Sequence, residues 1–150
     1  MLEYYDAIAR VEGSAQYPDI RGTVKFLEND FGSWVQAELF GLPDYVPETP
    51  NAGSVGPFAF HVHEFDTCGA LYGDAPFLGA GGHFNPFGEP AGNQPGDFPL
   101  LFSNNGTAKM MFFTSRFRPQ EVIGKSVVIH QGPALEGGLR IACGRIEKAF

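Results

Sequence analysis

An all-β sandwich or barrel of eight short strands is the fold class this sequence predicts, on three observations. No window of about 11 residues carries a convincing apolar period of 3.6, whereas period-2 alternation recurs along the chain. Twenty glycines and twelve prolines in 150 residues gather between the alternating stretches and cut them short, which favours strands and long turns over helices. The length suits one domain around one hydrophobic core, residues 1–150.

Taken in order, residues 5–13 and 22–28 read as the first two strands. Residues 32–42 form the clearest one: Val35, Ala37 and Leu39 fall on one face, Gln36 and Glu38 on the other. Residues 43–57 are loop, and 58–65 a strand. Residues 67–96 are rich in Gly, Pro and Asn without a regular pattern; so long a loop inside a compact domain points to function. Strands at 97–103 and 106–114 flank Asn104-Asn105-Gly106, a hairpin signal because Asn and Gly tolerate positive φ. Residues 126–131 and 139–146 complete the set.

Composition excludes several function classes. The formal charge is −7 and the ten basic residues are scattered, so there is no basic face for nucleic acid. No apolar run approaches the ~20 residues that cross a bilayer. Residues 1–13 lack a basic patch followed by an apolar stretch, and do not read as a signal peptide. Gly-rich phosphate loops and the G-x-S-x-G nucleophile context are missing. Cys68 and Cys143 are either two buried thiols or one disulfide, and spacing alone does not choose between them.

The chemistry concentrates in four histidines. His61 and His63 stand at i, i+2 on a strand, so both rings leave the same face, opposite Phe60, Val62 and Glu64. Two imidazoles on one face can clamp one ion. His83 lies in the long loop and His130 ends the apolar run Ser126-Val127-Val128-Ile129-His130. Each alone has a bland account: a solvated strand face, a surface histidine, a histidine at the core edge bonded to backbone. Arg140 alone reads as a surface ion-pair partner.

Order along the chain changes that reading. Gly56-Pro57-Phe58-Ala59-Phe60-His61-Val62-His63-Glu64-Phe65 resembles the copper-binding strand of copper/zinc superoxide dismutases. Gly81-Gly82-His83-Phe84-Asn85-Pro86 resembles the start of that family's zinc loop. Residues 122–130 resemble the strand delivering the last copper histidine, and Gly138-Leu139-Arg140-Ile141-Ala142-Cys143-Gly144 the segment with the active-site arginine and a disulfide cysteine.

The resemblance implies an eight-stranded antiparallel Greek-key barrel and a copper-dependent dismutation of superoxide to oxygen and hydrogen peroxide. Copper would be held by His61, His63, His83 and His130, a nitrogen set that suits Cu(II). His83 matches the family's bridging histidine, Arg140 the residue that guides the superoxide anion, and Cys68 with Cys143 the structural disulfide. The family's zinc site does not carry over. Asp97 matches its aspartate, but Ala91 stands where a histidine is expected, and copper takes all four histidines of the chain. Zinc normally wants four protein ligands, so one copper and no zinc is the expectation, as in the family's copper-only branch. Without zinc, a carboxylate is expected to orient His83, Asp97 first and Glu89 second.

Only residues 131–139 separate His130 from Arg140, so the family's electrostatic loop is absent and the copper is expected to be more open to solvent. The alternative function is a non-catalytic copper binder, for storage or delivery, on the same fold. Copper and a disulfide suggest an exported, periplasmic or extracellular setting, against the missing signal peptide, which alone says cytoplasm. Barrels of this family often pair as homodimers, but no exposed apolar stripe for pairing can be located in the sequence.

Overall fold

The computed structural model describes residues 2–69 and 75–150. Among these are seven strands: β1 (Ala7–Gly13), β2 (Arg21–Asn29), β3 (Gly32–Phe40), β4 (Phe60–His63), β5 (Ala108–Thr114), β6 (Ser126–His130) and β7 (Arg140–Lys148). They form one antiparallel sheet in the order β4-β6-β7-β1-β2-β3-β5. The only helices among the described residues are a single 3-10 turn, Leu78–Ala80, and the four-residue α1, Pro119–Val122. The all-β expectation holds.

The strand expected at 97–103 does not form a ladder. It is reduced to isolated bridges, His61 with Asp97 and Phe58 with Leu101. Pro95 and Pro99 supply no N–H, so the segment bonds β4 only where it can. Phe58 and Leu101 exchange both backbone hydrogen bonds at 2.9 Å, and Val62 N–H donates to Gly96 O at 3.0 Å. The next turn follows expectation: Asn105 and Gly106 have φ of 51° and 84°, and Asn104 bridges Thr107.

Alternation decides what each strand delivers. In β4, Phe60 and Val62 join the main core with Phe26, Leu39, Phe58 and Ile129. Phe98 stacks edge-on to Phe60 with ring centroids 4.9 Å apart. His61 and His63 therefore leave by the opposite face. In β6, Val127 and Ile129 enter the core, while Val128 faces outward into a second small cluster with Phe77, Ala80 and Cys143. A register shift between Ile129 and His130 marks where the strand delivers its histidine.

Candidate metal centre

Two features of β4 bring the remaining side chains to His61 and His63. Its inner neighbour β6 pairs Val128 with His61, which sets His130 beside the pair. Its outer edge is covered by loop backbone: His83 bridges His63, Asp97 bridges His61, and Phe84 N–H donates to Val62 O at 2.8 Å. The ligand nitrogens of His61, His63, His83 and His130 consequently all lie within 4.8 Å of one another. This is the set expected from the sequence, gathered from one strand pair and one loop.

Hydrogen bonds to the outer ring nitrogens orient these side chains. His63 Nδ1 faces Gly81 O at 2.9 Å, and His130 Nδ1 faces Gly138 O at 3.0 Å. A carbonyl only accepts, so both Nδ1 atoms carry a proton and both Nε2 atoms hold a lone pair. Those two Nε2 atoms stand 3.3 Å apart, lone pair toward lone pair, with no proton to join them. Among the described residues, His61 Nδ1 is buried with no partner at hydrogen-bond geometry. Buried nitrogens are not left so without compensation; a cation bound by imidazole nitrogens resolves both facts at once. The residues present therefore fit a nitrogen-seeking metal ion such as copper.

Burial tunes the same rings. Loss of solvation pushes His61 from the ordinary histidine value of 6.5 down to about 2, with His83 and His130 adding repulsion. It pushes His63 to about 3 and His130 to about 4, opposed in each by the bond to the Gly81 or Gly138 carbonyl. The unfolded chain, with its histidines near 6.5, binds more protons than the folded one in this range. The resulting stability is complete above about pH 6.5 and is lost as the pH falls through the folded values. The urea midpoint of the metal-free protein is expected to drop between pH 6.5 and 4, and to drop less in a His61→Asn, His63→Asn variant. Equal slopes in the two proteins would refute this assignment.

Arg140, at the start of β7, reaches the same place. Its guanidinium donates to Phe77 O at 2.7 Å and to Gly81 O at 2.5 Å. The Gly81 carbonyl thus holds both the arginine and His63. Arg140 is half-buried and burial lowers its pKa, yet a guanidinium stays charged. It lines a cavity of about 320 Å³ with Ala75, Pro76, Leu78, Gly138 and Leu139.

Residues 20–146 match the family model of copper/zinc superoxide dismutase. The chain belongs to the copper/zinc superoxide dismutase family. It is 30% identical to the Cu-Zn superoxide dismutase of Deinococcus radiodurans, over 83% of this chain and 76% of that protein. It is 34% identical to that of Saccharomyces cerevisiae, over 84% and 78%. The extracellular Cu-Zn superoxide dismutase of Rattus norvegicus is 32% identical over 84% of this chain and 50% of its own length. The solved Cu/Zn superoxide dismutase from Brucella abortus superposes with a TM-score of 0.70 at 25% identity, covering 95% of this chain and 100% of that one.

Within this superoxide dismutase fold, Cys68 and Cys143 form a disulfide, which closes the alternative left open by spacing. The carboxylates chosen to orient His83 are placed differently from each other. Asp97 Oδ1 lies 3.8 Å from His83 Nδ1, beyond hydrogen-bond length, while its Oδ2 accepts Gly92 N–H and Gln94 N–H at 2.7 and 3.0 Å. Glu89 does not reach the ring: its carboxylate accepts from Asn93 at 3.0 Å. Gln94 Oε1 stands against His83 Nδ1 at 2.6 Å instead. His61, His63 and His130 are 3%, 1% and 1% exposed, His83 is half-buried, and the short 131–139 loop packs on the His130 ring. A Cβ on Gly137 would sit 2.4 Å from the His130 ring, and one on Gly92 3.1 Å from Leu135.

Residue-type reasoning missed Gln94, Gly137 and the Gly81 carbonyl. A glutamine in a loop carries no spacing signal, and a glycine carries one only where its turn is known.

Proposed function

We propose that the protein is a superoxide dismutase that holds one copper ion on His61, His63, His83 and His130 and works without zinc. The observation that carries this is a count joined to a geometry. The chain has four histidines, and all four converge on one site. Relatives named for copper and zinc need ligands for both ions; here Ala91 stands at an expected zinc ligand. Asp97 offers one free oxygen, the other being taken up by two backbone N–H groups. That falls short of the four ligands of a structural zinc site.

Copper, when bound, supplies one-electron chemistry, oxidising one superoxide to oxygen and reducing the next, with two protons, to hydrogen peroxide. The residues of the chain do the rest. His63 and His130 present fixed Nε2 lone pairs because the Gly81 and Gly138 carbonyls hold their other nitrogens. Arg140 binds and orients the anion: two of its five N–H donors are directed at carbonyls and the others remain for a small anion. With a formal charge of −7, this cation beside the histidines is the local attractor for superoxide. Fixed on backbone carbonyls, it loses no conformational freedom when it meets the substrate. A storage site needs no such anion guide, which favours the enzyme over a copper carrier. The disulfide supports an oxidising, exported setting.

The test is direct. Protein loaded with one equivalent of Cu(II), zinc absent, is expected to remove superoxide far faster than the metal-free protein. Added zinc is expected neither to bind the loaded protein stoichiometrically nor to raise the rate. Tight copper binding with decay no faster than the metal-free control would leave a copper-binding protein on this fold and end the dismutase reading.

A further inference from the structure

The second nitrogen of His83 is the place where this chain departs from a two-metal site, and the hydrogen bonds around it fix its state. Gln94 Oε1 lies 2.6 Å from His83 Nδ1, and Gln94 Nε2 donates to the Glu89 backbone carbonyl at 3.2 Å. The Glu89 contact decides which way the amide faces. Turned over, it would set its oxygen against another oxygen, acceptor to acceptor. Its oxygen must therefore face His83, and an amide oxygen only accepts. His83 Nδ1 carries the proton, and its Nε2 keeps the lone pair.

The turn that carries Gln94 is built around that contact. Asp97 Oδ2 accepts the N–H groups of Gly92 and Gln94. Asn85 clamps Glu89 through both backbone groups, donating to its carbonyl at 2.9 Å and accepting its N–H at 2.8 Å. Arg116 donates to the Asn93 carbonyl at 3.0 Å. Each contact restricts the position of one amide side chain.

We propose that Gln94 is the positioning residue of His83: it holds the ring as the Nδ1–H tautomer, presents Nε2 to the other three histidines, and closes Nδ1 to a second metal ion. Asp97 acts one step back, on the turn, and Glu89 acts through its backbone rather than its carboxylate. The role in copper binding rests on the proposed function; the tautomer does not. A neutral amide suits this task better than a carboxylate, since it accepts the hydrogen bond of the ring N–H without offering a charged ligand to zinc.

The tautomer is read in the metal-free protein labelled with ¹⁵N-histidine, by long-range proton–nitrogen correlation. His83 is expected to show a single Nδ1–H form in the wild type and in Gln94→Glu, which keeps an acceptor. In Gln94→Met, of similar volume, the tautomers are expected to mix, and Cu(II) alone is expected to bind about 10-fold or more weakly, the effect typical of losing a partner of a ligating histidine. An Nε2–H wild type, or a Gln94→Met variant with unchanged tautomer and unchanged Cu(II) affinity, would overturn the proposal. The outcomes separate cleanly from the dismutase reading. A fixed tautomer in a protein without turnover sinks the enzyme alone, and turnover in a protein with mixed tautomers sinks Gln94 alone.

Discussion

Replacement of Cys68 and Cys143 by serine is expected to cost about 4 kcal/mol of stability, the loop-closure value for a cross-link of this length, and to weaken copper binding as well. The two cysteines are 75 residues apart in sequence, so the bond removes much freedom from the unfolded chain. Its second effect follows from position. The disulfide belongs to the small cluster of Phe77, Ala80 and Val128, apart from the main core. Ala80 precedes Gly81, whose carbonyl holds both His63 and Arg140, and Phe65 N–H donates to Ala80 O at 3.0 Å. Val128 is the residue paired with His61. The bond thus ties the loop that orients a metal ligand and the anion guide to β7. Urea unfolding of the oxidised protein and the double serine variant, with Cu(II) titrations of both, checks this. A stability loss under about 1 kcal/mol, far below the usual range, with unchanged affinity would show that the loop is held by its other contacts.

The second large effect concerns a residue with no side chain. Gly137→Ala is expected to damage the copper site although Gly137 supplies no ligand. Gly137 has φ of +103°, and an added Cβ would lie 2.4 Å from His130 Cε1 and 2.6 Å from Nδ1. Neither the ring nor the loop can accept that without moving, and either movement breaks the bond from His130 Nδ1 to Gly138 O. Overpacking of this kind costs about 1–3 kcal/mol, and loss of the orienting bond about 10-fold or more in copper affinity. Gly138→Ala is the control. Its φ is +76°, but no described residue lies within 4 Å of the added Cβ, so it carries only the backbone penalty of about 1 kcal/mol and leaves the ring in place. Copper affinity and the Cu(II) electron paramagnetic resonance spectrum of the two variants decide it; equal values would refute the role given to Gly137.

Some parts of this were legible in the residue order and some were not. The alternation in 32–42 and 58–65 is local, so the face of each side chain follows from backbone geometry alone, and His61 and His63 were bound to share one. Period alone failed at 97–103. Phe98 and Leu101 are buried as an apolar segment should be, but a strand also needs a continuous ladder, and Pro95 and Pro99 interrupt the supply of N–H groups. The shortness of the loop between His130 and Arg140 is legible in the sequence, but the ring it packs against is not. Length says how many residues are available, whereas coverage depends on where Gly137 and Leu135 come to rest.

What the residues determined unaided is the all-β class, the outward face of His61 and His63, and a supply of four histidines. These depend on local periodicity and on counting. The tertiary structure decided that all four rings meet within one ion's reach, that Cys68 bonds Cys143, that one carbonyl serves both His63 and Arg140, and that Gln94 rather than a carboxylate faces His83. Such contacts join positions far apart in the chain, and a hydrogen bond of 2.6 Å depends on a loop path that no local preference specifies.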